Sequence, residues 1–337
     1  MISFSNDYSE GASLEILNRL NETNFNQYVG YGCDEICESA KNKIKALLKN
    51  DTCDIHFLVG GTQSNATIID HALKPYEAVI ACDSGHINVH ETGAIEANGH
   101  KVITCKNVDG KISVVDIKKQ YELHSDEHMV KPAMVYISQA SEVGTLYSYD
   151  ELKAIKEVCD ELGLYLFIDG ARLAVALTSP QNDVKVEDLC NLCDVFYFGG
   201  TKNGALFGEA VVITNETLKK NFRYSIKQHG GMLAKGFLLG IQFDELFTND
   251  LYFKNAQHAN NMASKLQDAF AAKFNLLVKS PTNQIFPILD KKTIETLSKK
   301  YIFQFWEKYD DNHDVIRFVT SWATKEENVD ELINDLQ

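Results

Sequence analysis

The chain has 337 residues, of which 45% are of apolar types and 24% are charged, as in an ordinary globular protein. This length predicts one large domain plus a smaller one. The net charge of −14 is spread along the chain, which argues against a nucleic acid as partner and favours solubility.

The start of the chain and its cysteines suggest a location. Residues 1–7 lack the basic start and the long apolar core of a signal peptide, and no apolar run reaches the ~20 residues of a membrane helix. The eight cysteines show no framework of paired spacings, so we expect reduced thiols in a cytoplasmic protein. Cys190 and Cys193 form a lone CxxC pair, which we interpret as two buried small residues rather than a redox or metal site. We predict no metal.

The first elements are an arm and two helices. Residues 1–11 predict an arm, and residues 12–24 are weakly helical. A Gly-Tyr alternation at 28–32 precedes Asp34, which we predict caps an amphipathic helix ending near Leu48.

A strand, a glycine turn and a helix follow. Residues 56–59 predict the strand, and residues 66–73 continue the helix that the Gly-Gly turn opens. Backbone N–H groups, the positive helix end and the hydroxyls of Thr62 and Ser64 predict an anion site there. The turn is neither G-x-G-x-x-G nor a Walker loop, so it disfavours a dinucleotide or a nucleoside triphosphate and suits a single phosphate.

The next strand ends at a histidine. Residues 78–82 predict this strand, and His86 opens a helix predicted over 87–98. The imidazole can lie over a planar ring or, alternatively, bond backbone at the helix start. His90 and Glu91 follow one turn later, toward the same side.

Further strands alternate with helices. Residues 102–105 and 133–138 predict strands, and the long turn at 139–145 is another loop that can form a site. Asp150 is predicted to cap a helix that Gly163 ends.

Two buried strands then carry the strongest functional signal. Residues 165–168 end at Asp169, and residues 195–198 run into a Gly-Gly-Thr turn that ends at Lys202. Ligands of open α/β sheets bind beyond the carboxyl ends of strands. A lysine there can react with an aldehyde as a Schiff base, and a carboxylate can pair with a pyridinium nitrogen. The alternative is a turn-capping aspartate and an ordinary surface lysine, but the combination favours the functional interpretation.

The rest of the chain predicts a smaller mixed unit. Residues 209–214 follow Lys202 so closely that we predict a strand antiparallel to 195–198. Residues 223–246 and 250–273 are largely helical, and 276–337 follow as strand, helix, strand and helix. Arg317 lies in an apolar strand, so it needs a carboxylate partner from the protein or from a ligand.

One ordered set of motifs resembles a known family. Gly61-Thr62, His86 with Glu91, Asp169-Gly170-Ala171-Arg172 and Thr201-Lys202 resemble the low-specificity L-threonine aldolases. The resemblance runs from about residue 5 to the C-terminus. It implies an α/β fold of the pyridoxal-phosphate-dependent transferases, fold type I. In that fold, a large domain (16–245) with a mostly parallel sheet flanked by helices carries an N-terminal arm (1–15) and a small C-terminal α+β domain (246–337).

The resemblance also implies pyridoxal 5'-phosphate and a set of residues around it. Lys202 would hold the cofactor aldehyde, Asp169 would pair with the pyridine nitrogen, and His86 would stack on the ring. The residues that the resemblance places at the cofactor are Gly61, Thr62, Gln63, His86, Asp169, Arg172 and Lys202.

Substrate binding is implied in the same way. Arg172 and Arg317 would bind the substrate carboxylate. Asn6 stands where the family usually has a serine near that carboxylate, and Lys235 is a candidate for a displaced positive charge. Tyr31 is a candidate to reach into the site of a neighbouring subunit, in a homodimer or homotetramer with shared active sites.

The implied activity is that of a pyridoxal-phosphate-dependent lyase, which cleaves L-threonine or a related β-hydroxy amino acid to glycine and an aldehyde. A β-eliminating lyase acting on another amino acid would use the same core. The missing G-x-G-x-x-G disfavours an NAD-dependent dehydrogenase, and Lys202 with Asp169 disfavours a non-catalytic binding protein. Aldol cleavage needs a base for the β-hydroxyl proton, and the sequence offers His86, His90 or a water that they hold.

Overall fold

The computed structural model describes residues 1–336. Its strands are β1 (Ile2–Ser3), β2 (Asp54–Leu58), β3 (Glu77–Cys82), β4 (Lys101–Cys105), β5 (Lys131–Ser138), β6 (Tyr165–Asp169), β7 (Val195–Gly199), β8 (Glu209–Ile213), β9 (Gln284–Ile285), β10 (Ile288–Asp290), β11 (Tyr301–Ile302), β12 (Gln304–Lys308) and β13 (His313–Val319).

Helices separate most of these strands. They are α1 (Leu14–Thr23), α2 (Glu35–Leu48), α3 (Gly61–Ala72), α4 (His86–Val89), α5 (Ala94–Ala97), α6 (Val114–Leu123), α7 (Tyr149–Leu162), α8 (Leu173–Leu177), α9 (Leu189–Leu192), α10 (Glu216–Lys219), α11 (Phe222–Gln228), α12 (Phe237–Leu246), α13 (Leu251–Ala271), α14 (Lys291–Ser298) and α15 (Glu326–Asp335), with a 3-10 turn at Val186–Asp188.

Seven strands form a central sheet in the order β2-β8-β7-β6-β5-β3-β4. Strand β8 runs antiparallel to both of its neighbours, β7 and β2, and the other neighbouring pairs are parallel. The antiparallel strand predicted after Lys202 is therefore confirmed. Every residue of β3, β7 and β8 is buried, because helices cover both faces of a largely parallel sheet.

The two faces of the sheet bury different side chains of the same strand. In β7, Phe196 and Phe198 belong to one apolar cluster, and Val195 and Tyr197 belong to the other. This is the period of two that a strand imposes. The strand ends are thereby held rigidly, which fixes where the turns after them lie.

Helix α2 begins as predicted. The Asp34 side chain accepts the Cys37 N–H at 2.8 Å and caps the helix. Helix α2 packs closely on α12, where Gly240 allows the contact: a Cβ on Gly240 would lie 2.9 Å from the Cys37 nitrogen.

The C-terminal elements build a second, smaller sheet. Strand β13 pairs with β10 and β12 along its length and with β9 at its end, all antiparallel. The predicted N-terminal arm packs here, because β1 pairs with β11 and Phe4 is buried in the apolar cluster of α13, β13 and α15. The domain bounds at residues 15 and 245 stay a prediction.

Two helix predictions were wrong in extent. The helix predicted over 87–98 is broken between α4 and α5, where Thr92 and Gly93 have φ of 53° and 71°. The helix predicted over 223–246 is broken between α11 and α12, where Gly230 has a φ of 71°. Left-handed residues end a right-handed helix, and apolar periodicity does not report them. Within residues 1–336, the helices lack the length and apolar character of a bilayer span.

Candidate active site

The carboxyl ends of the central strands surround a cavity of about 520 Å³. Strands β12 and β13 of the smaller sheet line its other side, through Gln304, Trp306 and Arg317. Seven of the sequence-predicted site residues line it, namely Gly61, Thr62, His86, Asp169, Arg172, Lys202 and Arg317. The other four, Asn6, Gln63, Tyr31 and Lys235, do not.

One wall of the cavity is the start of α3. The first backbone hydrogen bond of this helix runs from the Ser64 N–H to the Gly60 carbonyl, so the N–H groups of the first turn remain for a ligand. Gly61 lies close to Tyr197, since a Cβ there would be 3.3 Å from the Tyr197 hydroxyl oxygen. That buried hydroxyl interacts with the Asp169 carboxylate and helps to lower its pKa.

Gln63 supports this turn from behind. Its side-chain oxygen accepts the Val59 N–H at 3.3 Å, and its amide donates to the His229 carbonyl at 3.2 Å. The Gln63 side chain therefore holds the turn against the segment after α11, and cofactor contact through this side chain stays a prediction.

Asp169, at the end of β6, is held as a carboxylate. It accepts hydrogen bonds from the Tyr136 hydroxyl (2.5 Å), the Asn65 amide (3.1 Å) and the Ala171 N–H (2.9 Å). Burial raises the pKa of the Asp169 carboxyl, but the hydrogen bonds outweigh burial and hold that pKa below its ordinary value. The site thus keeps a negative charge that faces the cavity.

His86 belongs to the same polar network. Its Nδ1 lies 2.7 Å from the buried Glu91 carboxylate, which also accepts the Asn65 amide at 2.7 Å. Burial lowers the pKa of His86, but the hydrogen bond to Glu91 and the negative charges of Glu142 and Asp169 together outweigh burial, so the pKa lies above its ordinary value. Helix α4 ends at Val89, so Glu91 lies in the connection to α5, where its side chain meets the His86 ring.

Lys202 lies on the turn after β7. Burial and the nearby Arg172 cation lower the pKa of the Lys202 ammonium, which favours the free amine that attacks an aldehyde. The turn is tight, since a Cβ on Gly200 would lie 2.8 Å from the Gly208 carbonyl oxygen.

Glu209, at the start of β8, was missed by sequence reasoning. Its carboxyl accepts the Thr201 hydroxyl at 2.9 Å and the Gly200 N–H at 3.1 Å. Burial raises the pKa of Glu209 to about 8, and these hydrogen bonds offset only part of that shift. The sequence signal for Glu209 is an acidic residue close to the turn that carries Lys202. This signal is weak, because a charged residue at the start of a strand is ordinarily solvent-exposed.

Arg172 is already paired within the chain. Its guanidinium donates to both oxygens of the buried Asp7, at 2.8 and 3.0 Å, and Asn283 donates to the same carboxylate at 2.9 Å. The arm therefore reaches the site through Asp7. The side chain of the predicted Asn6 instead accepts the Tyr8 N–H at 2.9 Å, within the arm itself.

Arg317 has no carboxylate partner among residues 1–336. It donates to Gln284 at 3.1 Å and to Gln304, and it stacks 5.4 Å over the Trp306 ring. Its buried Nε has no hydrogen-bond partner among the described residues. Burial and Arg172 lower the pKa of Arg317 to about 10, so it is still a cation at pH 7. The carboxylate partner predicted for Arg317 would therefore come from a ligand.

Tyr31 and Lys235 are exposed and lie away from this cavity. Tyr31 has a φ of 63°, and Lys227 lies 5.0 Å over its ring. Neither side chain can contact a ligand in its own chain's cavity, so any role would be in a neighbouring subunit.

The CxxC pair lies elsewhere. Cys193 is buried, and burial raises its pKa well above the ordinary value, so it stays a thiol. No group of three or more His, Cys, Asp or Glu side chains is arranged to hold a metal within residues 1–336.

The residues present fit pyridoxal phosphate. The first turn of α3 offers N–H groups to a phosphate, Asp169 offers an anion to the pyridine nitrogen, and Lys202 offers an amine to the aldehyde. The Tyr197 hydroxyl, which interacts with Asp169, is a further polar group that lines the cavity.

Known proteins agree with this interpretation. Residues 12–292 match the family described as beta-eliminating lyase. The chain is 32% identical, over 99% of its length and 96% of the relative's, to the low specificity L-threonine aldolase of Pseudomonas sp. (strain NCIMB 10558). A solved structure of Leishmania major threonine aldolase superposes with a TM-score of 0.99 at 46% identity, covering 100% of this chain and 98% of that one.

The fold extends to more distant enzymes. The histidinol-phosphate aminotransferase of Clostridium acetobutylicum superposes with a TM-score of 0.75 at 13% identity, over 100% of this chain and 98% of that one. At this identity the match concerns the fold alone, and it confirms the predicted fold type I. The chain belongs to the beta-eliminating lyase family and is a pyridoxal-phosphate-dependent lyase.

Proposed function

We propose that this lyase cleaves the Cα–Cβ bond of L-threonine or a related β-hydroxy amino acid, giving glycine and an aldehyde. The observation that carries the proposal is full-length similarity to proteins named threonine aldolases, in a chain whose cavity joins Lys202, Asp169 and Arg317. The carboxylate of threonine matches Arg317, and its amino group matches the cofactor that Lys202 and Asp169 hold.

The binding residues follow from the geometry of the cavity. The N–H groups at the start of α3 and the Thr62 hydroxyl bind the phosphate, and His86 contacts the cofactor ring. Arg317 binds the substrate carboxylate, because its cation lacks a protein carboxylate among the described residues. Arg172, which Asp7 holds in place, supports the same end of the cavity with its positive charge.

The chemistry divides between the cofactor and the chain. When bound, pyridoxal phosphate supplies a ring that accepts the electron pair released at Cα. Asp169 keeps the pyridine nitrogen protonated, and its lowered pKa keeps it able to do so. Lys202 would hold the cofactor through its aldehyde, and its amine, when free, would move a proton at Cα.

β-Elimination from another amino acid is the second candidate reaction, since the family description names it. It would use the same Lys202 and Asp169 but would begin with loss of the Cα proton. Cleavage is favoured because the relatives that match over the full chain are named threonine aldolases.

A product assay separates these reactions. Purified holoenzyme is incubated with L-threonine, L-allo-threonine, L-serine and L-cysteine, and glycine, aldehyde, ammonia and α-keto acid are quantified. The proposal predicts glycine and acetaldehyde in equal amounts from at least one threonine isomer, and none from the Lys202→Ala variant. Ammonia and a keto acid without glycine would assign the chain to the eliminating lyases.

We also propose a homo-oligomer, a homodimer or homotetramer, with Tyr31 reaching a neighbouring subunit's site. Support comes from exposed apolar side chains around the α1–α2 connection, where Phe25 is 94% and Val29 63% exposed, and from Tyr224 on α11, 78% exposed. A cytoplasmic location is proposed from the cysteines, all eight of which are free thiols.

A further inference from the structure

Glu142 differs from the other carboxylates that line the cavity. Asp169 accepts three hydrogen bonds and Glu209 accepts two, so both are engaged by the protein. Glu142, on the loop between β5 and α7, accepts one hydrogen bond at Oε1, from the Ser138 hydroxyl at 3.2 Å. Within residues 1–336, no donor bonds its Oε2. A half-buried carboxylate is thus open to a ligand in the cavity.

The two histidines of the cavity are less free than Glu142 to take up a proton. Glu91 bonds the His86 Nδ1 at 2.7 Å and stabilises the imidazolium, which raises the pKa of His86. A protonated imidazole donates a proton rather than accepting one. His90 lies beside it, with ring centroids 5.5 Å apart, and burial together with His86 lowers the pKa of His90. Uptake of a proton by His90 would place a second cation beside the His86 imidazolium, whereas a proton neutralises the Glu142 carboxylate.

We propose that Glu142 is the base that takes the β-hydroxyl proton of the substrate as the Cα–Cβ bond breaks. The inference rests on the proposed function, because only an aldol cleavage needs this base. Glu142 acts electrostatically on His86, His90, Arg172, Lys202 and Arg317. It lines the same cavity as Lys202, which handles Cα, and Arg317, which binds the carboxylate.

The step balances in protons and electrons. The β-hydroxyl O–H bond breaks and its proton moves to Glu142, while the O–H electron pair forms the aldehyde C=O bond. The Cα–Cβ bond breaks, and its electron pair is accepted by the cofactor. Lys202 then protonates Cα of the glycine fragment, and Glu142 returns its proton through solvent to Lys202.

The test compares two reactions of one holoenzyme. Glu142→Gln keeps an acceptor for the Ser138 hydroxyl and loses basicity, so we expect threonine cleavage to fall by ~100-fold or more. Exchange of the glycine Cα proton with deuterated water needs Lys202 but not Glu142, so it should fall less than about threefold. The matched control is Glu122→Gln, on the exposed face of α6, which should change neither rate.

A second readout uses the protein without cofactor. Glu142 raises the pKa of both His86 and His90, so both should titrate at lower pH in Glu142→Gln, as measured by NMR of ¹⁵N-labelled histidine. Cleavage within about threefold of wild type would overturn the proposal, as would an equal fall in cleavage and exchange. Absence of glycine from wild type would contradict the proposed function instead.

Discussion

At the scale of single residues, the site depends on how each charge is compensated. Asp169 is buried but stays an anion because three donors surround it, and Arg317 stays a cation that no protein carboxylate neutralises within residues 1–336. Arg172 is neutralised by Asp7 before any ligand arrives. These differences separate three buried charges that look equivalent in the sequence.

Asp169→Asn should retain cofactor but slow turnover by about 100-fold or more, because an amide does not hold the pyridine nitrogen protonated. The measurement is kcat for glycine formation together with the cofactor absorbance of the purified variant. Tyr136→Phe is the graded comparison, since it removes one of the three hydrogen bonds and should slow turnover less. Near-normal turnover in Asp169→Asn would remove this residue from its role.

Arg317→Gln should raise KM for L-threonine about 10- to 100-fold, because the variant loses a charge-assisted hydrogen bond to the substrate carboxylate. The control is a ligand: 1-aminopropan-2-ol lacks the carboxylate, so its inhibition constant should be nearly unchanged. If the variant bound L-threonine and 1-aminopropan-2-ol equally more weakly, Arg317 would stabilise the shape of the cavity rather than bind the substrate carboxylate.

The sequence was informative about some of these residues and silent about others. Asp169 and Lys202 could be predicted because each follows an apolar strand directly, which is a local pattern. Asn65 and Asp7 could not, because they meet their partners across 104 and 165 residues, through the sheet order and the path of the arm. Asp7, next to the predicted Asn6, makes the arm's contact with Arg172, and substrate binding by Asn6 stays a prediction.

At the scale of elements, strands and the cap of α2 could be predicted, but helix continuity and the cap of α7 could not, since Ser148 and not the predicted Asp150 caps α7. Asp34 caps α2 as expected, whereas the left-handed residues after α4 and α11 were not foreseen. Glu91, which the predicted helix over 87–98 included, lies instead in the connection between α4 and α5 and contacts His86 there.

Asp34→Ala should lower the free energy of unfolding by ~1 kcal/mol, because the first turn of α2 loses its side-chain acceptor. Urea denaturation followed by circular dichroism measures this. Ser13→Ala is the matched control, since Ser13 occupies the N-cap of α1 without a capping hydrogen bond and should cost less. Equal losses in both variants would contradict the assigned cap.

At the scale of the whole molecule, the cavity lies between the central sheet and the smaller C-terminal sheet. Neither sheet alone holds both Lys202 and Arg317. The exposed side chains near Phe25 lie outside it, and they motivate the proposed assembly.

Phe25→Glu should weaken the proposed oligomer, because it places a charge in an interface that would otherwise bury an exposed aromatic ring. Light scattering after size-exclusion chromatography measures the mass of both proteins. Tyr76→Glu, also an exposed aromatic residue but distant in sequence from the α1–α2 connection, is the control. A fully active wild-type monomer would contradict the assembly and the role of Tyr31.

The central claim is that the chain breaks Cα–Cβ and leaves the amino group on Cα. L-Threonine labelled with ¹³C at Cα and with ¹⁵N tests this in one NMR measurement of the reaction mixture. The account predicts that both labels appear together in glycine, with unlabelled acetaldehyde as the second product. Appearance of ¹⁵N in ammonia and of ¹³C in 2-oxobutanoate would contradict it.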